Sequence, residues 1–571
     1  MSVFLAGLAR VDVTPEVHGV GMLGWGVPGN VVRGVRTRLH ARALVLEQPP
    51  TPDREGVTLA LVSLEICYIT TLLRRRVLER LAALHPELGI DEASLLLTAT
   101  HTHSAPGGYS HARFDNASIP GLQPAVLDRL VEGTTRAVAE AAARRIPARL
   151  RLAAGEIPPE LPVAFNRALR AHHRNPEVHR RFGPQERNLA VEREMTVLRV
   201  EDLEGRPLGL VSWFGVHGTS VHSDNTLIHA DNKGYAALLC EGQLADRGLS
   251  DFVSLFVQGP TGDVTPNHRR WPGRPLPGGT SPDDDQSARD NGQIQCDQAL
   301  ALLERAQAAA PLEGPLSVAI EHLDMAEVEV EADLAGGRSD ARTAPGAIGA
   351  RMLRGTWEGP GTPKPIGLAL QLATRLWQAW ARLTPFLRGE AQRRWLHVHG
   401  PKAPLLAVGW GTVLSQGWTV LLFPHRVDPI LDHLAQQQRV VGTEPWLPQI
   451  LPLHLVRLGP LGLVGLPAEP TTQACRRIQA DAARAMGVQR ALMTGYSNDY
   501  SGYITTPEEY GRQGYEGSFT QFGPWTLPAW QSWIRRLAAR LDQPSTTLGQ
   551  PLALPPDLTL RQAPPTPRGL S

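Results

Sequence analysis

The chain has 571 residues, of which 42% are hydrophobic and 20% charged, and its formal net charge is +1. This is an ordinary globular composition, and the length exceeds what one minimal core requires. A nearly neutral chain gives no indication of a nucleic-acid or polyanionic partner.

The N-terminal ten residues read as a first strand, because no basic stretch precedes a long apolar one. No uninterrupted apolar run reaches the roughly 18 residues that a membrane span needs. The four cysteines, which form no CxxC pair and favour buried free thiols in a reducing compartment, are Cys67, Cys240, Cys296 and Cys475. Together these features predict a cytoplasmic protein.

Strand-like apolar runs alternate with helical patterns along the chain. The strand-like runs cover residues 43–46, 59–64, 94–100, 208–214, 253–257, 420–423 and 461–466. The helical patterns cover residues 72–84, 125–143 and 293–309. This alternation predicts an α/β fold, with mixed sheets flanked by helices and polar chemistry at strand ends.

Two segments are expected to lie outside the regular framework. Residues 269–290 are rich in Pro, Gly and Asp and predict a long surface loop. Residues 541–571 are rich in proline and predict a loosely packed tail, which leaves residues 1–540 as the main domain.

The most informative motif is His101-Thr102-His103, which follows a buried strand and precedes a Pro-Gly-Gly turn. On a strand end, His101 and His103 would point the same way, since side chains alternate between faces. Two such imidazoles suit a metal ion with its water. The alternative is a pair of hydrogen-bonded loop histidines.

Further along, two more strand ends carry polar groups. His217 follows an apolar strand and lies between Gly215 and Gly218. Residues 258–267 then run from a strand into a polar, glycine-rich turn.

Residues 366–388 form an unusual apolar segment with few charges and two tryptophans. Its spacing is helical at least from Leu372, so the segment is predicted to be amphipathic. It is interpreted either as a helix packed on the domain or as a lid or lipid-facing wall near an active site.

Near the C-terminal end, Glu469 follows the strand-like run at residues 461–466. Residues 500–515 contain four of the eight tyrosines. Two histidines and a carboxylate are a ligand set suited to Zn²⁺, with one position left open for water. Spacing alone does not bring His101, His217 and Glu469 together, so a metal hydrolase is one interpretation of these residues.

In this order, the motifs resemble those of the neutral (non-lysosomal) ceramidase family. The segments that carry the resemblance are residues 7–15, 100–108, 166–167, 217–220, 231–235, 262–267, 467–469 and 503–517. Each is weak alone, whereas their shared order is specific and covers most of the chain.

The resemblance implies that one catalytic zinc ion per chain is held by His101, His217, Glu469 and Tyr503, with Tyr500 as the alternative to Tyr503. It implies zinc-promoted amide hydrolysis, in which the metal lowers the pKa of a bound water and nearby donors stabilise the oxyanion.

The same resemblance implies that His103 and Tyr515 flank the scissile amide and stabilise the oxyanion or move protons. Substrate contacts are implied for Arg167, Gly262, Asp263 and Thr265. Arg167 and Thr265 are also counted among the catalytic residues.

Several nearby residues are given structural roles. Asp263 is expected to hydrogen-bond its own turn, and Lys233 to pair with Asp231. Glu65 is expected either to support a ligand histidine or to be buried and paired. The histidines treated as exposed and as non-ligands are His172, His173, His222 and His229.

The chain departs from the family pattern at Thr265, where serine is usual, and at Ala168 and Ala468, which replace serine and glycine. Because few residues follow Trp525, we expect the C-terminal immunoglobulin-like domain of the family to be absent.

The predicted function is zinc-dependent cleavage of the N-acyl amide of ceramide or a ceramide-like lipid. The alternatives are a zinc hydrolase of another amide or ester, and a non-catalytic lipid-binding relative. Transient membrane-surface contact through residues 366–388 is expected, with no obligatory protein partner.

Overall fold

Two β-sheets lie face to face at the centre of the computed structural model, which describes residues 4–27, 29–116, 118–119, 121–359, 361–409, 445–554 and 558. The first sheet contains β1 (Phe4–Asp12), β3 (His40–Gln48), β4 (Val57–Leu64), β5 (Leu95–Ala99), β6 (Ile146–Glu156), β8 (Glu194–Asp202), β9 (Pro207–Phe214) and β11 (Val253–Gln258). Its spatial order is β11-β9-β8-β6-β1-β3-β4-β5, and only the pairs β4–β5 and β9–β11 are parallel.

The second sheet contains β13 (Leu316–Asp324), β16 (Ile450–Leu458), β17 (Leu461–Gly465), β19 (Arg490–Thr494) and β21 (Ser545–Leu548), in the order β19-β17-β16-β13-β21. Four short ribbons pair β2 (Gly34–Val35) with β10 (Leu227–Ile228), β7 (Phe165–Asn166) with β12 (Val264–Thr265), β14 (Ala347–Gly349) with β15 (Pro404–Ala407), and β18 (Glu469–Pro470) with β20 (Tyr503–Ile504).

Helices cover the outer faces of both sheets. The described helices are α1 (Thr71–Leu84), α2 (Pro124–Ala143), α3 (Leu169–His172), α4 (Asp231–Ala245), α5 (Asp284–Ala306), α6 (Lys364–Leu383), α7 (Glu390–Val398), α8 (Thr472–Met486), α9 (Pro507–Arg512), α10 (Tyr515–Phe519) and α11 (Thr526–Ala538). α2 packs on β1 and β3, α4 and α5 pack on the other half of the first sheet, and α8 and α11 cover the second sheet.

Both faces of the first sheet are therefore buried. On β3, Leu44 and Leu46 belong to the core between the sheets, whereas Ala43 and Val45 belong to the core under the helices. A strand buried on both faces reads as a continuous apolar run, which is why residues 43–46 were recognisable from sequence.

The predicted fold class, a mixed α/β architecture, is confirmed. The strand-like runs at 43–46, 59–64, 94–100, 208–214, 253–257 and 461–466 all coincide with strands. The run at 420–423 lies outside the described residues.

Two boundary predictions were wrong. α5 begins at Asp284, inside the predicted loop over residues 269–290, because the Asp283 side chain accepts hydrogen bonds from the backbone N–H groups of Asp285 and Gln286. Within the predicted loosely packed tail, β21 pairs in parallel with β13, so these four residues belong to the second sheet.

The apolar segment at residues 366–388 is helical from its start. α6 buries Leu370, Trp377 and Ala381, and Trp377 and Ala381 share an apolar cluster with Trp395 of α7. None of the helices in the described part of the chain combines the length and apolarity needed to span a bilayer.

The loop after β19 is attached to β5 by buried polar contacts. Asn498 Oδ1 accepts a hydrogen bond from the Leu97 N–H at 2.9 Å, and Asn498 Nδ2 donates to His454 Nδ1 at 3.0 Å. His454 Nε2 in turn donates to the Ala93 carbonyl at 2.8 Å. Burial lowers the pKa of His454 to about 3, so this anchor contains a neutral imidazole.

We expect this histidine to make the protein acid-sensitive. Below pH 6.5 the unfolded chain protonates His454 and the folded chain does not, so stability falls as pH falls, by about 1.4 kcal/mol per pH unit from this group. Between pH 7 and pH 5.5, the free energy of unfolding should therefore drop by about 1 kcal/mol more for the wild type than for His454→Gln. Urea unfolding at both pH values measures this difference, and equal drops for the two proteins would contradict it. Exposed His179→Gln is the control and should behave like the wild type.

Candidate metal centre

The site is built where strands of both sheets end. His101 follows β5, His217 follows β9, and Glu469 follows β17 and lies in β18. Thr102 and Gly218 form a parallel bridge, and the His103 N–H donates to the Gly218 carbonyl at 3.1 Å. These backbone contacts place the two histidine loops side by side.

The ring orientation of both histidines is fixed by backbone carbonyls. His101 Nδ1 donates to the Cys67 carbonyl at 2.7 Å, and His217 Nδ1 donates to the Val264 carbonyl at 2.9 Å. A carbonyl can only accept, so each Nε2 is left without a proton when the ring is neutral.

The unprotonated Nε2 atoms of both rings face one carboxylate. Glu469 Oε2 lies 3.1 Å from His217 Nε2 and 3.8 Å from His101 Nε2, and the ligand atoms of the three residues all lie within 4.8 Å of one another. Burial lowers the pKa of His101 and of His217 to about 3, which keeps both imidazoles neutral. Two neutral histidines and one carboxylate form a donor set for a divalent metal ion.

The backbone of His101 adopts the left-handed conformation, with φ of 67°. This conformation is uncommon for a residue with a side chain and costs of order 1 kcal/mol or more. It is held by the His101 N–H, which donates to the Ile66 carbonyl at 3.0 Å. The bend turns the imidazole toward the space that it shares with His217 and Glu469.

Two tyrosines that the sequence did not identify as partners hold the Glu469 carboxylate. Tyr496 donates to Oε2 at 3.0 Å, and Tyr500 donates to Oε1. The Tyr496 ring also stacks on His101, with centroids 4.1 Å apart. Tyr500 belongs to the predicted tyrosine-rich segment, whereas Tyr496 lies before it and was not identified from the sequence.

Tyr503 lies beside Glu469 because β18 and β20 pair in parallel with these two residues in register. Its hydroxyl accepts a hydrogen bond from Arg167 Nη2 at 2.9 Å. Arg167 also donates to Glu358 and Glu516, at 2.8 and 3.0 Å, and is almost fully buried. Glu358 and Glu516 had no recognisable sequence signal, since neither stands at a strand end.

The structure places His103 and Tyr515 at the edge of the same cluster. His103 Nε2 lies 3.1 Å from His101 Nε2, and the Tyr515 ring is perpendicular to that of Tyr503, with centroids 5.7 Å apart. Gly24 makes room for His103, because a Cβ on Gly24 would lie 2.4 Å from the His103 ring.

The predicted turn at residues 262–267 passes directly behind Glu469. A Cβ on Gly262 would lie 2.7 Å from the Glu469 carbonyl, so the close approach requires glycine. The Thr265 hydroxyl accepts the Asn267 N–H at 3.0 Å. Asp263 does not bond its own turn as predicted; its carboxylate accepts hydrogen bonds from Thr472 and from the Asn166 side chain instead.

Other structural expectations also need correction. Lys233 does not pair with Asp231: its Nζ donates to the Phe214 carbonyl at 2.6 Å, and burial lowers the pKa of the amine. Glu65 is buried and paired with Arg42, the second of its two predicted roles. The prediction of exposure was wrong for three histidines, which are buried: His172, His222 and His229.

The predicted core role of Cys67 agrees with its burial, which raises the pKa of the thiol and keeps it protonated. His222 and His229 bond to Asp284 and Asp285, so local acidic partners rather than solvent satisfy these rings. His172 differs from both, because it belongs to a second group of three potential metal ligands with Asp263 and Glu509.

Comparison with known proteins identifies the family. A family model described as neutral/alkaline non-lysosomal ceramidase, N-terminal, matches residues 4–428 and 425–532. The chain is 31% identical to the neutral ceramidase of Pseudomonas aeruginosa over 560 residues, covering 97% of this chain and 74% of that protein. It is 31% identical to the neutral ceramidase of Mycobacterium tuberculosis over 552 residues, covering 95% and 78% of the two chains.

Solved structures agree with the sequence comparison. A structure described as ceramidase complexed with C2 aligns with a TM-score of 0.78 at 30% identity, covering 98% of this chain and 78% of that one. The crystal structure of neutral ceramidase from Pseudomonas aeruginosa aligns with a TM-score of 0.76 at 29% identity, covering 98% and 77%.

The contact between the two histidine loops can be tested at Gly218. A Cβ there would lie 2.3 Å from the His101 carbonyl oxygen, so Gly218→Ala should displace that loop and reduce the free energy of unfolding by about 1–3 kcal/mol. Gly242→Ala is the control, because its Cβ meets no atom within 4 Å and alanine favours its helix. Urea unfolding of both variants measures the difference; equal stability of the two would contradict the proposed packing.

Proposed function

The chain belongs to the neutral/alkaline non-lysosomal ceramidase family, and we propose that it hydrolyses the N-acyl amide of ceramide or a ceramide-like lipid to a sphingoid base and a fatty acid. The observation that carries this proposal is the buried convergence of His101, His217 and Glu469, whose ligand atoms lie within 4.8 Å of one another. Zinc dependence is part of the proposal.

These residues fit one zinc ion at this centre. Zn²⁺ prefers imidazole nitrogen and carboxylate oxygen, and here two neutral Nε2 atoms face one Glu469 oxygen. Among the described residues no lysine or arginine pairs with Glu469, so its buried charge is left for a metal ion to neutralise. When bound, zinc would lower the pKa of water and polarise the amide carbonyl.

Tyr503 is proposed as the fourth ligand. It is the register partner of Glu469, and its oxygen accepts a hydrogen bond from the Arg167 guanidinium. Burial and the nearby Glu469 raise the pKa of the Tyr503 phenol, and Arg167 opposes that rise. Tyr500 instead donates to Glu469 Oε1, whereas Oε2 is the oxygen nearest the two histidines. These contacts favour Tyr503 over Tyr500.

His103 and Tyr515 are proposed to act on the substrate carbonyl. Both lie beside the ligand set, and His103 Nδ1 has no hydrogen-bond partner among the residues described. A neutral imidazole and a phenol can donate hydrogen bonds to a developing oxyanion or transfer a proton to the leaving amine.

Arg167, Gly262, Asp263 and Thr265 remain proposed substrate-site residues. Arg167 fixes Tyr503 while its charge is shared with Glu358 and Glu516, and Gly262 brings its turn against Glu469. For Asp263, the contacts to Asn166 and Thr472 support a role in holding the turn.

The exposed face of α6 is proposed to contact an anionic membrane surface, from which a lipid substrate would enter. Leu368, Leu372, Leu376 and Leu383 project from this face, and Leu383 is 79% exposed. Residues 364–388 also contain four cationic and no acidic side chains. Glu358, which accepts a hydrogen bond from Arg167, precedes the first residue of α6 by six positions, so the helix follows a site residue closely in sequence.

The function is tested with a fluorescent ceramide, a short-chain acyl amide and an acyl ester. Fatty-acid release from ceramide that stops after chelation and returns with Zn²⁺ would support the proposal. Activity on the short amide or the ester, with none on ceramide, would show that ceramide is not the substrate. Zinc binding without any turnover would indicate a non-catalytic relative.

We expect His101→Ala and Glu469→Ala to bind one zinc ion fewer per chain than the unaltered protein, since each removes a ligand from a centre with few others. Inductively coupled plasma mass spectrometry after dialysis measures this. Exposed His179→Ala should keep the full zinc content, and full zinc in both ligand variants would refute the assignment.

Replacing each tyrosine by phenylalanine distinguishes the two candidates. Tyr503→Phe removes a ligand and should weaken zinc affinity by at least about 100-fold, whereas Tyr500→Phe removes only a support of Glu469 and should cost about 10-fold. Competition with a chelating dye measures both affinities. The reverse order would assign the ligand to Tyr500.

The membrane proposal predicts that Leu376→Glu/Leu383→Glu lowers binding to phosphatidylglycerol vesicles at least about tenfold, because each leucine contributes about 1.5 kcal/mol or more on burial. Vesicle co-sedimentation measures this. Leu84→Glu changes an exposed leucine of α1 and should have no effect; equal losses would rule out a specific role for α6.

A further inference from the structure

A second group of potential metal ligands lies behind the catalytic centre. It comprises His172 at the end of α3, Asp263 in the turn before β12, and Glu509 in α9. All three are buried, and their ligand atoms lie within 4.8 Å of one another. His172 Nδ1 lies 3.9 Å from Asp263 Oδ2, too far for a hydrogen bond.

The two carboxyl groups of this site have no cationic side chain to compensate a negative charge in the described part of the chain. Within the described ranges, no lysine or arginine forms an ion pair with Asp263 or Glu509; their partners are amides, hydroxyls and backbone N–H groups. Buried charges in proteins are normally paired or bound to metal ions. Burial and the neighbouring Asp263 raise the pKa of Glu509 to about 8, as expected of two carboxylates that lack a cation.

The remaining acceptor capacity of these carboxylates lies on one oxygen of each. Asp263 Oδ1 accepts from both the N–H and the hydroxyl of Thr472, and Glu509 Oε2 accepts from Thr471 and from the Thr506 N–H. Asp263 Oδ2 and Glu509 Oε1 each accept one hydrogen bond, from Asn166 and Asn175. Since a carboxylate oxygen has two lone pairs, each of these two can bind a further ligand.

His172 supplies an independent observation. Its side chain is 2% exposed, and its Nδ1 has no hydrogen-bond partner among the described residues. A cavity of about 10 Å³ is lined by His172, Asp263 and Glu509, which is about the space of one water molecule or ion. Protonation of Glu509 would remove one charge but would leave this buried imidazole nitrogen unsatisfied.

We propose that His172, Asp263 and Glu509 bind a second divalent transition-metal ion, separate from the catalytic one. One imidazole and two carboxylates suit Zn²⁺ or Mn²⁺, whereas Ca²⁺ requires more oxygen ligands than this cavity offers. The ion would join segments that carry the first centre: Asn166 precedes Arg167, Thr471 follows Glu469, and Glu509 follows Tyr503. Its role is to position those segments.

The test uses the full chain, dialysed first against buffer with Zn²⁺ and then exhaustively against Zn²⁺-free buffer. The zinc retained per chain is then measured. The wild type should retain two ions per chain, and His172→Phe and His101→Ala one each. The double variant should retain none. His173→Phe is the matched control and should retain two, because the His173 ring accepts the Phe182 N–H at Nε2 and belongs to neither group of potential ligands.

A wild type with one ion that is lost in His101→Ala would overturn the proposal, as would two ions retained in His172→Phe. If His172→Phe does not fold, Glu509→Gln is used instead. Glutamine keeps the size of the side chain and can accept the hydrogen bond from Asn175. Retention of two ions in Glu509→Gln would also refute the site. This readout is independent of ceramide turnover, so failure of the proposed activity leaves it intact.

Discussion

The burial of Glu469, with no lysine or arginine partner among the described residues, is the constraint on which the site depends. Its carboxylate is held by the Tyr496 and Tyr500 hydroxyls and faces two histidines that burial keeps neutral. A buried charge of this kind is costly unless a cation compensates it. The fold meets this cost by ending strands of two sheets at one place, so that three separate loops deliver a complete donor set for a metal ion.

The same physical logic connects the two metal-ligand groups. In both, the described part of the chain offers the buried carboxylates no lysine or arginine partner, and an imidazole nitrogen faces them. Arg167 is a buried cation beside the first group, but Glu358 and Glu516 already share its charge. Arg167 also donates to the Tyr503 hydroxyl and to the Gly262 carbonyl beside the first group. The side chain of its neighbour Asn166 donates to Asp263 of the second group.

Sequence patterns predicted the parts of this arrangement that depend on local chemistry. Runs such as residues 43–46 are apolar because both strand faces are buried, and His101 is conspicuous because it follows such a run. The hydrogen bonds from Tyr496 and Tyr500 to Glu469 and the burial of His172 could not be predicted from local patterns, since they depend on tertiary contacts between separate segments. Flanking polar residues suggested exposure for His172, yet Asp263 and Glu509 surround it in the fold.

The central claim is that a zinc ion lies between His101, His217 and Glu469. Anomalous diffraction from crystals of the zinc-loaded protein, collected on both sides of the zinc absorption edge, tests it most directly. We expect an anomalous peak bonded to the Nε2 atoms of His101 and His217 and to Glu469, with the Tyr503 oxygen as the fourth protein ligand. Crystals that contain zinc but show no peak at this position would contradict it.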